Sequence, residues 1–185
     1  MVSRSGLSKT LKILLDSGFR FTIIGGTIVE YSLGKDDLGD DVDLFAEYPS
    51  VIFEENEYRR LAEDNSWVYG YTWLGTPRIV ARVYDEEIPL EFYENIYDFY
   101  VPEAIIEGCI RVQVGDIKVR IVTLEDHILL KANAGRSSDI DKLKEIAKYI
   151  KRGRLSIDKK RLLENSKSFE DSDVIVRRLK DVSIL

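Results

Sequence analysis

Apolar residues in this chain recur at two periods. Leu7, Leu11, Leu14 and Leu15 fall at helical spacing, which predicts an amphipathic first helix with those leucines on one face. Residues 19–24 form a short apolar run that ends at Gly25-Gly26, the mark of a strand running into a turn. Residues 27–33 fit a short helix closed by Gly34. Val42 and Leu44 alternate with Asp41 and Asp43 and predict a second strand. A helix is expected over 54–64, then strands over 67–73, 78–84 and 88–93. In the last of these, Ile88, Leu90 and Phe92 alternate with Pro89, Glu91 and Tyr93. Residues 109–114 and 117–122 flank Gly115-Asp116, a hairpin signal.

From Thr123 the period becomes helical. Thr123 is placed as N-cap, with Asp126 three residues on and Gly135 at the end. A second helix starts at Ser138 as N-cap and ends with Lys148, Lys151, Arg152 and Gly153. Shorter helices follow near 158–164 and 172–180. The expected fold is α/β (α+β): a mixed β-sheet core over 1–122 with helices packed on it, and a helical part over 123–185. No Pro- or Gly-rich linker separates the two, so a single compact unit over 1–185 is expected.

Composition narrows the class. The chain has 185 residues, 44% hydrophobic and 32% charged, which suits a globular protein with a real core. No apolar run approaches the roughly 20 residues of a membrane span. Lys12 and Asp16 interrupt the first apolar stretch, and no small-residue cleavage site follows, so it is read as a helix rather than a signal peptide. The single cysteine, Cys109, excludes an internal disulfide, fits a reducing cytoplasm, and is read as a core residue rather than a nucleophile. The net charge of −6 argues against a general nucleic-acid coat. A local basic stretch remains over 148–161, "KYIKRGRLSIDKKR".

Candidate chemistry gathers in "FTIIGGTIVEYSLGKDDLGDDVDLF", residues 21–45. Asp41 and Asp43 lie two apart, so a strand turns both to one face while Val42 and Leu44 enter the core. Two carboxylates on one face repel unless a cation binds between them, and hard oxygen ligands suit Mg²⁺ or Mn²⁺. Glycine lets a backbone approach a phosphate, so Gly25, Gly26 and Thr27 form a candidate phosphate turn. A bridging metal reconciles an acidic cluster with an anion site. Taken alone, the acidic run also fits a solvated loop. An EF-hand is excluded, because its spacing and terminal Glu are absent.

The order strand, Gly-Gly, short helix, Asp-Val-Asp-Leu resembles the nucleotidyltransferase superfamily of DNA polymerase beta type. In that pattern "IIGG" and "DVDLF" are followed by a third carboxylate on a later strand, here Glu91 in "IPLEFYEN". "VTLEDHILLKANAGRSSDIDKL" resembles a further stretch found in small nucleotidyltransferases, including toxins of toxin–antitoxin systems. The likeness covers roughly residues 20–150. It implies a metal-dependent enzyme that moves a nucleoside monophosphate from an NTP such as ATP to an acceptor hydroxyl, releasing pyrophosphate. It further implies that Asp41, Asp43 and Glu91 hold Mg²⁺, that Gly25, Gly26 and Thr27 cradle phosphates, and that Lys131 and Arg136 neutralise phosphate charge. Glu91 stands where Asp is usual, and His127 where Leu is usual.

Several residues carry a plainer reading. His127 fits a packed helix position, because no second histidine or thiol pairs with it. Asp139 suits the start of a helix, and Arg136 is divided between structural and functional roles. Trp67, Tyr69, Tyr71 and Trp73 alternate as one strand face would, with base stacking the rival reading. Two other functions compete with the enzyme. One is a non-catalytic protein of the same fold that binds nucleotide or a protein partner. The other is an interaction protein such as one component of a toxin–antitoxin pair. The acceptor is open; the 148–161 stretch makes RNA one candidate.

Overall fold

The computed structural model of the chain describes residues 1–97 and 99–185. Its elements are, in order, α1 (Arg4–Asp16), β1 (Arg20–Ile23), α2 (Thr27–Ser32), β2 (Val42–Tyr48), α3 (Glu55–Asp64), β3 (Val68–Tyr71), β4 (Pro77–Val83), β5 (Glu86–Tyr93), α4 (Glu103–Glu107), β6 (Ile110–Val114), β7 (Ile117–Ile121), α5 (Leu124–Ala134), α6 (Ser137–Lys151), α7 (Lys159–Ser166) and α8 (Ser172–Asp181). They fall into two compact units. The first is Met1–Tyr100 with Cys109–Ile121; the second is Val101–Gly108 with Val122–Leu185. Among the described residues no helix is long and apolar enough to cross a membrane.

The first unit holds one mixed sheet of seven strands among the described residues, in the order β3-β4-β5-β2-β1-β7-β6. The fold is α/β, as expected. β2 pairs parallel with β5, and β1 parallel with β7; the other neighbours are antiparallel. Parallel neighbours need a long connection, and between β2 and β5 it consists of α3, β3 and β4. Alternation then sorts the faces. Val42, Leu44, Ile79, Ala81, Ile88, Leu90 and Phe92 are buried, α1 packs against β4, β5 and β6, and α3 packs against β3 and β4. Phe19 and Phe92 close on the Tyr58 ring at 5.1 and 4.8 Å.

Leu7, Leu11 and Leu14 are fully buried in α1, but Leu15 is 39% exposed, contrary to the expected four-leucine face. At about 100° per residue, Leu15 lies about 80° round from Leu7, at the edge of the stripe. The strand expected over 67–73 is also shorter. Thr72 and Thr76 close a turn, the Thr72 N–H donating to the Thr76 carbonyl at 2.8 Å, so Trp73 leaves the strand. Tyr69 and Tyr71 do share a face, and both hydroxyls donate to Glu55 Oε1, at 2.9 and 2.8 Å. Those bonds tie the two rings to α3, as a strand face does. Cys109 is half-buried rather than core. It precedes β6, and its Sγ accepts from Arg120 Nε at 2.9 Å.

The second unit is helical. Thr123 caps α5 as expected, its hydroxyl accepting from the Asp126 N–H and donating to the Asp126 carboxylate at 2.7 Å. Gly135 ends the helix at φ 63°, and a Cβ there would meet the Arg178 guanidinium carbon at 2.3 Å. Arg178 is bound to the Ala132 and Asn133 carbonyls at 2.6 and 3.0 Å, closing the helix end. Asp126 is fully buried and also accepts from Asn165 at 2.6 Å and Arg161 at 3.4 Å. His127 is buried, as its plainer reading required. The five-residue α4 had no clear signal beyond Pro102 at its N-cap. Helix α6 starts two residues early, with Arg136 rather than Ser138 at the N-cap position.

Candidate active site

Strand β1 delivers the chain to Gly25. The Ile24 N–H donates to the Asp43 carbonyl at 3.0 Å, which sets the end of β1 beside the start of β2. Gly25 is buried, and a Cβ built on it would lie 2.0 Å from Asp43 Oδ2 and 2.6 Å from Asp43 Cβ. The Asp43 side chain therefore packs directly over the glycine backbone. Gly26 is exposed, and a Cβ on it would meet nothing within 4 Å. Thr27 is buried, and its hydroxyl donates toward the Asp41 carbonyl at 3.5 Å, the outer limit of such a bond.

The acidic loop separates into two groups. Asp37 accepts from the Gly39 N–H at 3.0 Å, and Asp36 and Asp40 face Arg4 and the N-terminal amine at 3.8 Å. Leu38, fully buried, donates its N–H to the Val2 carbonyl at 2.8 Å, and Val2 returns a bond to Gly39. These contacts anchor the loop to the N-terminal segment. Asp41 and Asp43 continue past it to the sheet.

Register brings Asp43 and Glu91 together. They are direct partners across the parallel β2–β5 pair, on the face opposite Val42, Leu44, Leu90 and Phe92. Glu91 is 19% exposed; its Oε1 accepts from Arg78 Nε at 3.3 Å and its Oε2 from the Tyr93 hydroxyl at 2.5 Å. The ring of Phe99 stacks on Tyr93 at 4.9 Å. The Tyr93 hydroxyl is pushed well above the ordinary tyrosine range, first by burial, then by its bond to Glu91 and by the charges of Asp43, Glu91 and Asp41. All three carboxylates thus act on one buried hydroxyl. Among the described residues no three His, Cys, Asp or Glu side chains are gathered as a metal-ligand group. The donors are nonetheless of the kind a hard cation takes: Asp43 and Glu91 side by side, and Asp41 one residue before β2.

Lys131 and Arg136 lie in the helical unit, and there Asp139 brings them together. Asp139 Oδ1 accepts from Lys131 Nζ at 2.9 Å, and Oδ2 from Arg136 Nε at 2.7 Å. The carboxylate is 2% exposed, Lys131 is 26% exposed and Arg136 55%. Burial works to raise the Asp139 pKa, but the bonds and charges of Arg136 and Lys131 outweigh it and hold the group below its ordinary value. A carboxylate lowered on folding contributes stability above its unfolded pKa of about 3.9, and that stability is lost as pH falls through the folded value. Asp139→Asn is expected to lower the melting temperature at pH 7 by several degrees and to flatten the loss of helicity below about pH 4. Circular dichroism against pH checks it; an unchanged acid limb would make the clamp irrelevant to stability.

Sequence reasoning missed Arg78, Tyr93 and Phe99. The parity of Tyr93 with Glu91 was visible in the alternation, but the partner strand that carries Arg78 was not. Arg161 was counted with the basic stretch, yet it donates to the Gly108 carbonyl at 3.2 Å and to Asp126. That guanidinium is committed to the helical unit.

A mixed sheet with a Gly-Gly turn opposite paired carboxylates defines an α/β protein of nucleotidyltransferase type. The chain belongs to the family described as "Nucleotidyl transferase of unknown function (DUF2204)", whose pattern matches residues 3–181. No match is found among curated proteins. Among solved structures, an antigenic nucleotidyltransferase-like protein from Paracoccidioides brasiliensis is similar at a TM-score of 0.51 and 15% identity, over 70% of this chain and 64% of that one. The match therefore spans less than two-thirds of that protein's length, and at this identity it shows fold alone. The antibiotic-resistance factor ANT(2'')-Ia matches at a TM-score of 0.47 and 19% identity, over 74% of this chain and 75% of that one. Its complex with adenylyl-2''-tobramycin matches at 0.46 and 17%, over 98% and 92%. Those scores are too low to define a relation.

Proposed function

We propose that the protein is a metal-dependent nucleotidyltransferase that moves a nucleoside monophosphate from an NTP to an acceptor hydroxyl. The observation that carries the reading is the register of Asp43 with Glu91, with the Asp43 carboxylate packed on Gly25. Asp41, Asp43 and Glu91 hold Mg²⁺ or Mn²⁺. When bound, that cation stabilises charge on the attacking and leaving oxygens. Asp43 packs against the Gly25 backbone, which has no side chain to displace its carboxylate. The exposed, unobstructed Gly26 lets a phosphate approach the turn. The Thr27 hydroxyl points from the turn toward the Asp41 carbonyl. Lys131 and Arg136, oriented by Asp139, supply positive charge for phosphate oxygens. In the transfer, the acceptor oxygen bonds to the α-phosphorus, the bond from that phosphorus to the β-phosphate oxygen breaks, pyrophosphate leaves, and the hydroxyl proton passes to solvent. Incubation with each NTP and Mg²⁺, followed by assay of pyrophosphate release and label transfer, tests the reading. No release with any NTP across a range of RNA, protein and small-molecule acceptors would leave a nucleotide-binding, non-catalytic protein.

RNA is the acceptor class favoured by the helical unit. Lys148, Lys151, Arg152, Arg154 and Lys159 are all exposed between the end of α6 and the start of α7. Lys148 and Lys151 suit the dipole of α6, but Arg154 and Lys159 lie beyond that helix. Changing Lys151, Arg152, Arg154 and Lys159 together to Gln is expected to weaken RNA binding and to reduce the slope of log affinity against log salt by roughly 3. Equal slopes for both proteins, or no binding at low salt, would remove RNA from this patch.

A further inference from the structure

Three strands lay Arg78, Glu91 and Asp43 in a row. Arg78 is the register partner of Glu91 across β4–β5, and Glu91 is the partner of Asp43 across β5–β2. Glu91 therefore has a carboxylate on one flank and a guanidinium on the other. Without a positive charge nearby, the two neighbouring carboxylates would repel. Arg78 supplies that charge from within the chain, its Nε on Glu91 Oε1 at 3.3 Å. It is 37% exposed, so its guanidinium is free to leave toward water. Tyr93 already binds the other Glu91 oxygen, so one of its oxygens keeps a partner whether or not Arg78 stays. The same placement has a cost for cation binding. A fixed positive charge on a ligand oxygen lowers the local negative potential and competes with a metal for that oxygen.

We propose that Arg78 is an internal counter-ion of the carboxylate site, which holds Glu91 while no divalent cation is bound and must release it before Glu91 can serve as a ligand. This rests on the metal-dependent reading above. Arg78 is then a positioning residue that sets cation affinity through Glu91. Arg82 provides the control. It lies on the same strand and face, and pairs with Glu87 at 2.7 Å, with 71% of its side chain exposed. It carries the same charge but does not touch Glu91.

The test is a titration of the full chain with Mn²⁺, with free ion followed by electron paramagnetic resonance, so that no turnover is needed. Wild type, Arg78→Gln, Arg82→Gln, Glu91→Gln and the Arg78→Gln/Glu91→Gln pair are compared, with circular dichroism melts confirming that each is folded. Arg78→Gln is expected to bind Mn²⁺ roughly 3- to 30-fold more tightly than wild type. Arg82→Gln is expected to stay within about twofold of wild type, because an exposed charge further along the strand is screened. Adding Arg78→Gln to Glu91→Gln should yield much less than its gain in wild type. Unchanged or weaker binding in Arg78→Gln overturns the proposal. So does an equal gain in Arg82→Gln itself, or a full Arg78→Gln gain in the Glu91→Gln background, since the effect would then be diffuse charge. If neither wild type nor Arg78→Gln binds Mn²⁺, the cation reading itself falls and takes this one with it.

Discussion

Replacing Asp41 and Asp43 together by Asn is expected to abolish nucleotidyl transfer and to leave the metal-free protein as stable as wild type, or slightly more so. The expected loss of transfer is at least about 10³-fold, the scale on which removing charge stabilisation at a reacting phosphate acts. The expected change in melting temperature without metal is within about 3 °C. The asymmetry follows from what the carboxylates do in each state. Asp43 stands beside Glu91 in register, and Asp41 is exposed just before β2. The charges of Asp43, Glu91 and Asp41 disfavour ionisation of the Tyr93 hydroxyl, and neighbouring like charges work against the metal-free fold. Asn keeps the shape of each side chain, including the Asp43 contact with Gly25, and removes the charge. Melts with and without Mg²⁺ decide the matter. Wild type should gain stability from Mg²⁺ and the double variant should not. A large loss of stability in the metal-free variant would make the aspartates structural.

How much of this was legible in the sequence depends on the range of the interaction. Local signals held: the Thr123 cap, the left-handed Gly135 and the alternation that turns Glu91 away from Leu90 and Phe92. The motif order also singled out Gly25, Asp43 and Glu91. Register was not legible. Asp43 and Glu91 meet because β2 and β5 pair parallel after an excursion through α3, β3 and β4, and no local pattern specifies that pairing. For the same reason Arg78 could not be assigned to Glu91, nor Asp126 to Arg161 and Asn165. Arg161 shows the limit of charge counting. A run of basic residues reads as one patch, yet one member is turned inward by a buried carboxylate 35 positions earlier. Leu15 and Trp73 failed for a geometric reason: Leu15 lies at the edge of the leucine stripe, and Trp73 lies two residues past the end of β3.

Gly25 and Gly26 are adjacent, and replacing each by Ala is expected to give opposite results. Gly25→Ala places a Cβ 2.0 Å from Asp43 Oδ2, a contact that a carboxylate can escape by rotating. It also places it 2.6 Å from Asp43 Cβ, which rotation cannot relieve, because that atom is fixed to the β2 backbone. Either β2 shifts or the Gly25 turn does, and both carry the carboxylate out of register with Glu91. Overpacking of this kind costs roughly 1–3 kcal/mol, and nucleotidyl transfer should fall with it. Gly26 has φ −61° and ψ −25°, a helical conformation any residue adopts, and open space where the Cβ would go. Gly26→Ala should therefore be neutral or stabilise by about 0.5 kcal/mol, by restricting the unfolded chain. If the turn receives phosphate at Gly26, the same variant raises KM for NTP while the melting temperature holds. The two variants thus separate the two roles assigned to one dipeptide: room for a carboxylate, and room for a phosphate. Thermal melts with steady-state kinetics measure both. A Gly25→Ala protein that melts and turns over like wild type would mean that Asp43 does not pack on the turn, and the site would lose its anchor. A Gly26→Ala protein with unchanged KM would move phosphate recognition away from Gly26.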